Sequence, residues 1–210
     1  MKRFFNIAGP CIPEKHYMLS AIDRSPEIMD LIDSEQYFVI HAARQTGKTT
    51  FLHELMKQIN KDSKYYALYC SLESVQSFTE PEEGIPEIAA NIENELMYFS
   101  SELKQTFVEA VTGASLSTMI KKGLSAVCQK AEKPLIVFFD EIDCLSSGTL
   151  ITFLRQLRDG YINRGRRIFI HSIALVGMRN IRDYKADIRG EEKTLGSASP
   201  FNIITESKTL

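Results

Sequence analysis

Five short apolar runs divide the chain, at 37–43 (YFVIHAA), 65–72 (YYALYCSL), 135–140 (LIVFFD), 168–177 (IFIHSIALVG) and 201–210 (FNIITESKTL). The third and fourth are nearly continuous in apolar residues. That is the pattern of parallel strands covered on both faces rather than of half-wetted ones. Between the runs the period changes to three or four. Ile85, Ile88, Ile92, Leu96, Phe99, Leu103, Phe107 and Val111 mark a long amphipathic helix with Pro86 in its first turn. Leu116, Met119, Ile120, Leu124, Val127, Cys128 and Ala131 mark the next, with Ser115 as N-cap. Leu150, Leu154, Leu157 and Tyr161 mark another, ending near Gly160 or Gly165. A further helix spans 50–60, and the polar, turn-rich stretch 179–198 reads as a short helix and a loop returning to the last strand. Strands alternating with helices imply β-α-β units, a parallel sheet and helices on both faces.

The 210 residues, 44% apolar and 25% charged, suit one soluble α/β domain that buries roughly 70% of its unfolded surface. The net charge of −2 gives no global attraction to nucleic acid or anionic lipid. The charge is uneven, however. Residues 73–109 hold nine acids against one lysine, and residues 155–193 hold ten basic residues against five acidic. Solvated helix faces explain both, or the basic stretch faces a phosphate or a partner. The basic start is interrupted by Asn6, Gly9 and Pro10 and has no signal-peptide core. No apolar run approaches the roughly 20 residues of a membrane span. The four cysteines form no C-x-x-C pair, and a cytoplasmic location is expected.

Chemistry enters at Ala42-Ala43-Arg44-Gln45-Thr46-Gly47-Lys48-Thr49, followed by Thr50, between the first strand and the helix after it. A strand–loop–helix carrying T-G-K-T-T is the context of a Walker A phosphate loop. Successive backbone N–H groups and the helix N-terminus cradle a β-phosphate. Gly47 allows the close approach, Lys48 reaches the β- and γ-phosphates, and the Thr49 hydroxyl ligates Mg²⁺. The first glycine of the G-x-x-x-x-G-K-[ST] pattern is replaced by Ala42, which is tolerable only if that residue has φ below zero. The run 135–140 ends in Asp140-Glu141, the Walker B form. Asp140 is expected to hold Mg²⁺ through water, and Glu141 to polarise the attacking water. Asp143 either orients the site or has a helix N-cap or loop role.

These residues resemble the AAA-like P-loop ATPases, and within them the signal-transducing STAND type. The likeness includes the leader Gly9-Pro10-Cys11-Ile12-Pro13-Glu14-Lys15-His16-Tyr17, the two Walker motifs, Gly177-Met178-Arg179-Asn180 after the fourth strand and Ser199-Pro200-Phe201-Asn202-Ile203. The resemblance implies a three-layer α/β/α sandwich with a five-stranded parallel sheet of order 5-1-4-3-2. It implies an N-terminal leader, 1–36, flanking the nucleotide pocket, and a P-loop core, 37–210. It also makes ATP and Mg²⁺ the expected ligands and Arg179 the sensor of the γ-phosphate, through charge-assisted bonds. His16 and Tyr17 are then candidates to stack on the base. Arg164, Arg166 and Arg167 serve either as a finger for a neighbouring subunit or as solvated turn residues. Family members continue into a helical lid, so a chain ending at Leu210 reads as a truncated core that calls for a protein partner, a missing C-terminal domain or an oligomer.

The expected function is an ATP-hydrolysing regulatory switch. The alternatives are a nucleotide-binding interaction module without turnover and a P-loop kinase, which would need an acceptor site and an arginine-rich lid that the sequence does not display. A nucleic-acid role has only the local basic stretch behind it, without interleaved aromatics. The resemblance implies adenine as the base, and the guanine-reading N/T-K-x-D is absent, which argues against a GTPase.

Overall fold

In the computed structural model the described residues are 3–7, 9, 11–12, 14–18, 20, 23, 25–62, 64–179 and 203–209. In chain order they form α1 (Glu27–Asp33), β1 (Tyr37–His41), α2 (Lys48–Lys61), β2 (Tyr66–Ser71), α3 (Pro81–Phe99), α4 (Ser101–Val111), α5 (Met119–Lys130), β3 (Leu135–Asp140), α6 (Ser147–Ile162), β4 (Ser172–Gly177) and β5 (Ile204–Thr209). Short 3₁₀ turns follow β2 (Glu73–Ser77) and β3 (Ile142–Cys144). The strands make one sheet, order β2-β3-β4-β1-β5, and every neighbouring pair is parallel. This is the expected order 5-1-4-3-2 read from the other edge.

Alternation along each strand builds a core on either face. Tyr37 and Val39 of β1, with Leu135, Val137 and Phe139 of β3, pack under α3 to α6. Phe38 and Ile40, with Ile136 and Phe138, pack under α1 and α2. Helix α2 lays Phe51, Leu52, Leu55 and Ile59 on that second face. At the β2 edge, Asn60 accepts from the Ala67 N–H and donates to the Ala67 carbonyl, both at 2.8 Å. A side-chain amide thus occupies backbone positions that a further strand would take.

Several boundaries differ from expectation. The apolar period across 85–111 is two helices, not one. At Ser100 the chain extends (φ −160°), and its hydroxyl caps α4 by accepting from the Leu103 N–H. Helix α3 begins at Pro81, so Pro86 lies beyond its first turn, inside the helix. Helix α5 is preceded by a turn in which the Ser115 carbonyl accepts from Thr118 and Met119, and Thr118 rather than Ser115 takes the cap position. The run 168–177 is strand only from Ser172, because Phe169 and Ile170 enter the core before the strand begins. Helix α1, inside the leader, was not expected; it buries Ile28, Leu31 and Ile32. The expected helix and loop at 179–198 and the motif residues Pro10, Pro13, Asn180 and 199–202 lie outside the described residues, Arg179 excepted.

All four cysteines are free thiols. No helix among the described residues is long and apolar enough to cross a membrane.

Candidate nucleotide site

Parallel strands place every C-terminal end at one edge of the sheet, and there β1, β2, β3 and β4 deliver the candidate residues. After β1 the Ala42 N–H donates to the Gly177 carbonyl at 3.2 Å, anchoring the loop to the end of β4. The Thr46 hydroxyl donates to the Ala43 carbonyl at 2.9 Å. Gln45 (φ 62°) and Gly47 (φ 86°) take left-handed conformations, and Gly47 is the cap of α2. Ala42 is not among the left-handed residues, which besides glycines are, among the described residues, Glu35, Gln45 and Glu141. The missing first glycine therefore costs the loop nothing in backbone strain.

Lys48 is buried, and its ammonium donates to the carbonyls of Ala42 (3.0 Å) and Ala43 (3.1 Å). It thus sits within the curve of the loop. Asp140 is wholly buried and held by three donors. The hydroxyls of Thr49 and Tyr69 both donate to Oδ2 at 3.0 Å, and the Glu141 N–H donates to Oδ1 at 2.9 Å. Three bonds satisfy a buried carboxylate that would otherwise be costly. Glu141 follows in a left-handed conformation, φ 57° and ψ 41°. Burial, then the neighbouring Asp140, raises its carboxyl above the ordinary glutamate value. Among the described helices Asp143 is the cap of none; its carboxylate accepts from the Met178 N–H and, at 3.0 Å, from the Arg179 Nε. That pair fastens the end of β4 to the turn after β3.

A cleft of about 820 Å³ opens over these groups. One wall is the loop, with Arg44, Gln45, Gly47, Lys48, Thr49 and Thr50; another holds Glu141, Asp143 and Met178. The leader closes a third side through Asn6, Ile7, Gly9 and Cys11. It is tied in place where the Cys11 N–H donates to the Thr50 hydroxyl at 3.0 Å. His16 and Tyr17 are not on the cleft wall. The His16 ring is buried, accepts from the Ile12 N–H at 2.8 Å and meets Phe4 edge-on, while Tyr17 packs against Phe5. They brace the leader, and the groups that face the cleft are its neighbours.

The hard oxygen donors of Thr49 and Asp140, side by side, fit a magnesium ion that completes its shell with phosphate and water. Among the described residues no cluster of three or more His, Cys, Asp or Glu is placed to hold a metal by itself. Arg164, Arg166 and Arg167 lie in the turn after α6 that leads to the N-terminal end of β4, the opposite edge of the sheet from the loop. There Arg164 pairs with Glu35 and lies on the Tyr161 ring, and Arg166 and Arg167 line a separate groove of about 670 Å³. They do not serve the cleft of their own chain.

A family model described as an AAA domain matches residues 32–184. The chain belongs to the AAA domain family. In solved structures the same fold recurs at low identity. The Walker-type ATPase PABY2304 of Pyrococcus abyssi is 13% identical with a TM-score of 0.61, over 97% of this chain and 56% of that one. The ORC2 protein of Aeropyrum pernix, solved as ADPNP–ADP complexes, is 15% identical with a TM-score of 0.53, over 90% and 46%. The Aeropyrum pernix ORC1 protein, solved in complex with DNA, is 12% identical with a TM-score of 0.50, over 90% and 44%. The chain thus spans about half the length of these proteins. No curated protein sequence matches it.

The loop and both acids, singled out in the sequence as contiguous motifs, come together at one edge of the sheet. The sequence did not single out Tyr69, which touches Asp140, or the cleft-facing Asn6 and Ile7. Tyr69 carried only the signal of a polar-tipped residue near the end of a strand beside the Asp140 strand.

Proposed function

We propose that this domain binds ATP with Mg²⁺ in the loop-lined cleft and hydrolyses the γ-phosphate, acting as a regulatory switch in the cytoplasm. The observation that carries the reading is the Thr49–Asp140 hydrogen bond at 3.0 Å, which joins the phosphate loop to the acid at the end of β3 with Glu141 beside it. The backbone N–H groups of 43–49 and the N-terminus of α2 bind the β-phosphate, and Lys48 moves from its carbonyls to the β- and γ-oxygens. Bound Mg²⁺, held by Thr49 and Asp140, would supply neutralisation of the charge that develops on the phosphates. Glu141 orients the water and accepts its proton, a role its raised pKa suits. Arg179, fixed by Asp143, reads the γ-phosphate from the end of β4. The leader of 1–36 lines the base side and the core of 37–210 carries the chemistry. Adenine is the base we expect, in keeping with the ADPNP–ADP complexes of the similarly folded ORC2 protein.

By its Asp140-Glu141-Ile142-Asp143 and Gly177-Met178-Arg179-Asn180 segments we place the domain with the STAND type, working with a helical lid, a further C-terminal domain or a protein partner. A second reading, nucleotide binding without turnover, draws on Arg179 being engaged by Asp143 rather than standing alone in the cleft. Two substitutions separate the readings. Lys48→Ala should weaken ATP binding by at least tenfold in an equilibrium titration, and unchanged affinity sinks the site itself. Glu141→Gln should keep affinity while turnover falls by a factor of about 10²–10⁴, the usual worth of a general base. If wild type turns over no faster than Glu141→Gln, the non-hydrolysing module is the correct reading.

A further inference from the structure

Tyr69 stands on β2, one strand beyond the acid it touches, and on the face of the sheet turned to α2. Its hydroxyl donates to the Asp140 Oδ2 at 3.0 Å, the same oxygen that accepts from Thr49. The ring is clamped in turn by His53 of α2, with centroids 4.4 Å apart and planes tilted by 42°. Neither Tyr69 nor His53 lines the cleft, so neither touches a bound nucleotide directly.

A carboxylate beside a cation site has to keep one rotamer. If Asp140 turned about its side-chain bonds, the Thr49 proton would lose its acceptor and the Thr49 oxygen would lose its orientation toward the metal. The Glu141 N–H pins Oδ1 from the carboxylate's own strand end. The Thr49 oxygen, by contrast, would be shared with the cation. Tyr69 is the donor to Oδ2 whose oxygen the cation does not share. Partners of this kind, one bond removed from a ligand, typically alter metal affinity by 10–100-fold when removed.

We propose that Tyr69, steadied by the His53 ring, is a positioning residue that fixes the Asp140 carboxylate for Mg²⁺, so that β2 sets the metal dependence of nucleotide binding. The inference rests on the nucleotide reading above and deepens it. Residues 69 and 53 lie outside both Walker segments, so a strand and a helix face without motif character take part in the site.

The test is the ratio of ATP affinity with Mg²⁺ to ATP affinity in EDTA, with Mn²⁺ as a second probe read by its paramagnetic resonance. Tyr69→Phe keeps the buried ring and removes the hydroxyl, with its bonds to Asp140 and Ser71. It should raise the Mg²⁺ concentration for half-saturation about tenfold and leave metal-free ATP affinity at the wild-type value. In the Asp140→Asn background the same substitution should add little, since its effect passes through that carboxylate. His53→Ala should act in the same direction but less strongly, and it carries the test alone if Tyr69→Phe does not fold. Equal Mg²⁺ dependence in wild type and Tyr69→Phe overturns the proposal. So does an equal loss of affinity with and without metal, which marks a merely structural tyrosine. A wild type that binds ATP with no gain from Mg²⁺ overturns the metal role of Asp140 and this proposal together. A wild type indifferent to Lys48→Ala strikes the nucleotide reading first and takes this proposal with it.

Discussion

Ala42 is the residue at which the chain departs from the common phosphate-loop pattern, and its backbone accounts for the departure. It is absent from the left-handed residues, it is 5% exposed, and its N–H is bonded to Gly177. A glycine there would have no positive φ to accommodate and would only enlarge the freedom of the unfolded chain. Ala42→Gly should therefore lower stability by about 0.5–1 kcal/mol in urea denaturation while ATP affinity stays unchanged. A several-fold gain in affinity would instead mean that the alanine holds the loop away from its best phosphate-binding shape. Glu141 is the converse case. It accepts a left-handed conformation that glycine tolerates better, and it does so where its carboxyl must face the cleft rather than the core.

At the scale of elements, close approach between helices depends on positions where no side chain fits. Gly123 of α5 faces α4, and a Cβ there would run into the Phe107 ring and meet the Val111 side chain at 2.8 Å. Phe107 is fully buried and has little room to retreat. Alanine is the better helix former by about 1 kcal/mol, so propensity and packing oppose each other at this site. Packing should win: Gly123→Ala is expected to destabilise by about 1–2 kcal/mol net, read from the denaturation midpoint at constant slope. A stabilised variant would mean that α4 and α5 slide apart at no cost. The same pair shows where periodicity stops being informative. The step from Phe99 to Leu103 keeps the helical period, yet Ser100 between them is extended and starts a new helix. Hydrophobic spacing records which face is buried, and two helices packed on the same core keep that spacing across a break. Strand β3 was legible from end to end because a strand buried on both faces has no polar position to blur its limits. Helix α1 was overlooked because seven residues with three buried positions are too few for a period to stand out. The loop and the acids were legible as contiguous motifs, whereas Tyr69 reaches Asp140 across 71 positions and only the β2–β3 pairing brings it there.

At the scale of the whole molecule, the cleft is where parts distant in sequence meet. The loop after β1, the ends of β3 and β4 and the leader each supply a wall. In the leader the described residues of 3–17 bond to one another and to α2. Phe4 and Lys15, Tyr17 and Phe4, and His16 and Ile12 pair within it, and the Cys11–Thr50 bond crosses to α2. Its apolar side chains Phe5, Ile7 and Tyr17 stay exposed, at 78%, 99% and 52%. A segment with so little burial opens locally at small cost in free energy, so its amides should exchange quickly without ligand. A nucleotide seated against both Lys48 and the Asn6–Ile7 wall would couple the leader to the core. Hydrogen exchange with and without Mg²⁺ and ATP should then show slowing at 4–17 together with 42–50, two stretches separated by α1 and β1. The amides of β3, already buried inside the sheet, should change little. Protection confined to 42–50 would mean that the leader borders the cleft without holding the base, and would place base recognition with groups outside 1–36.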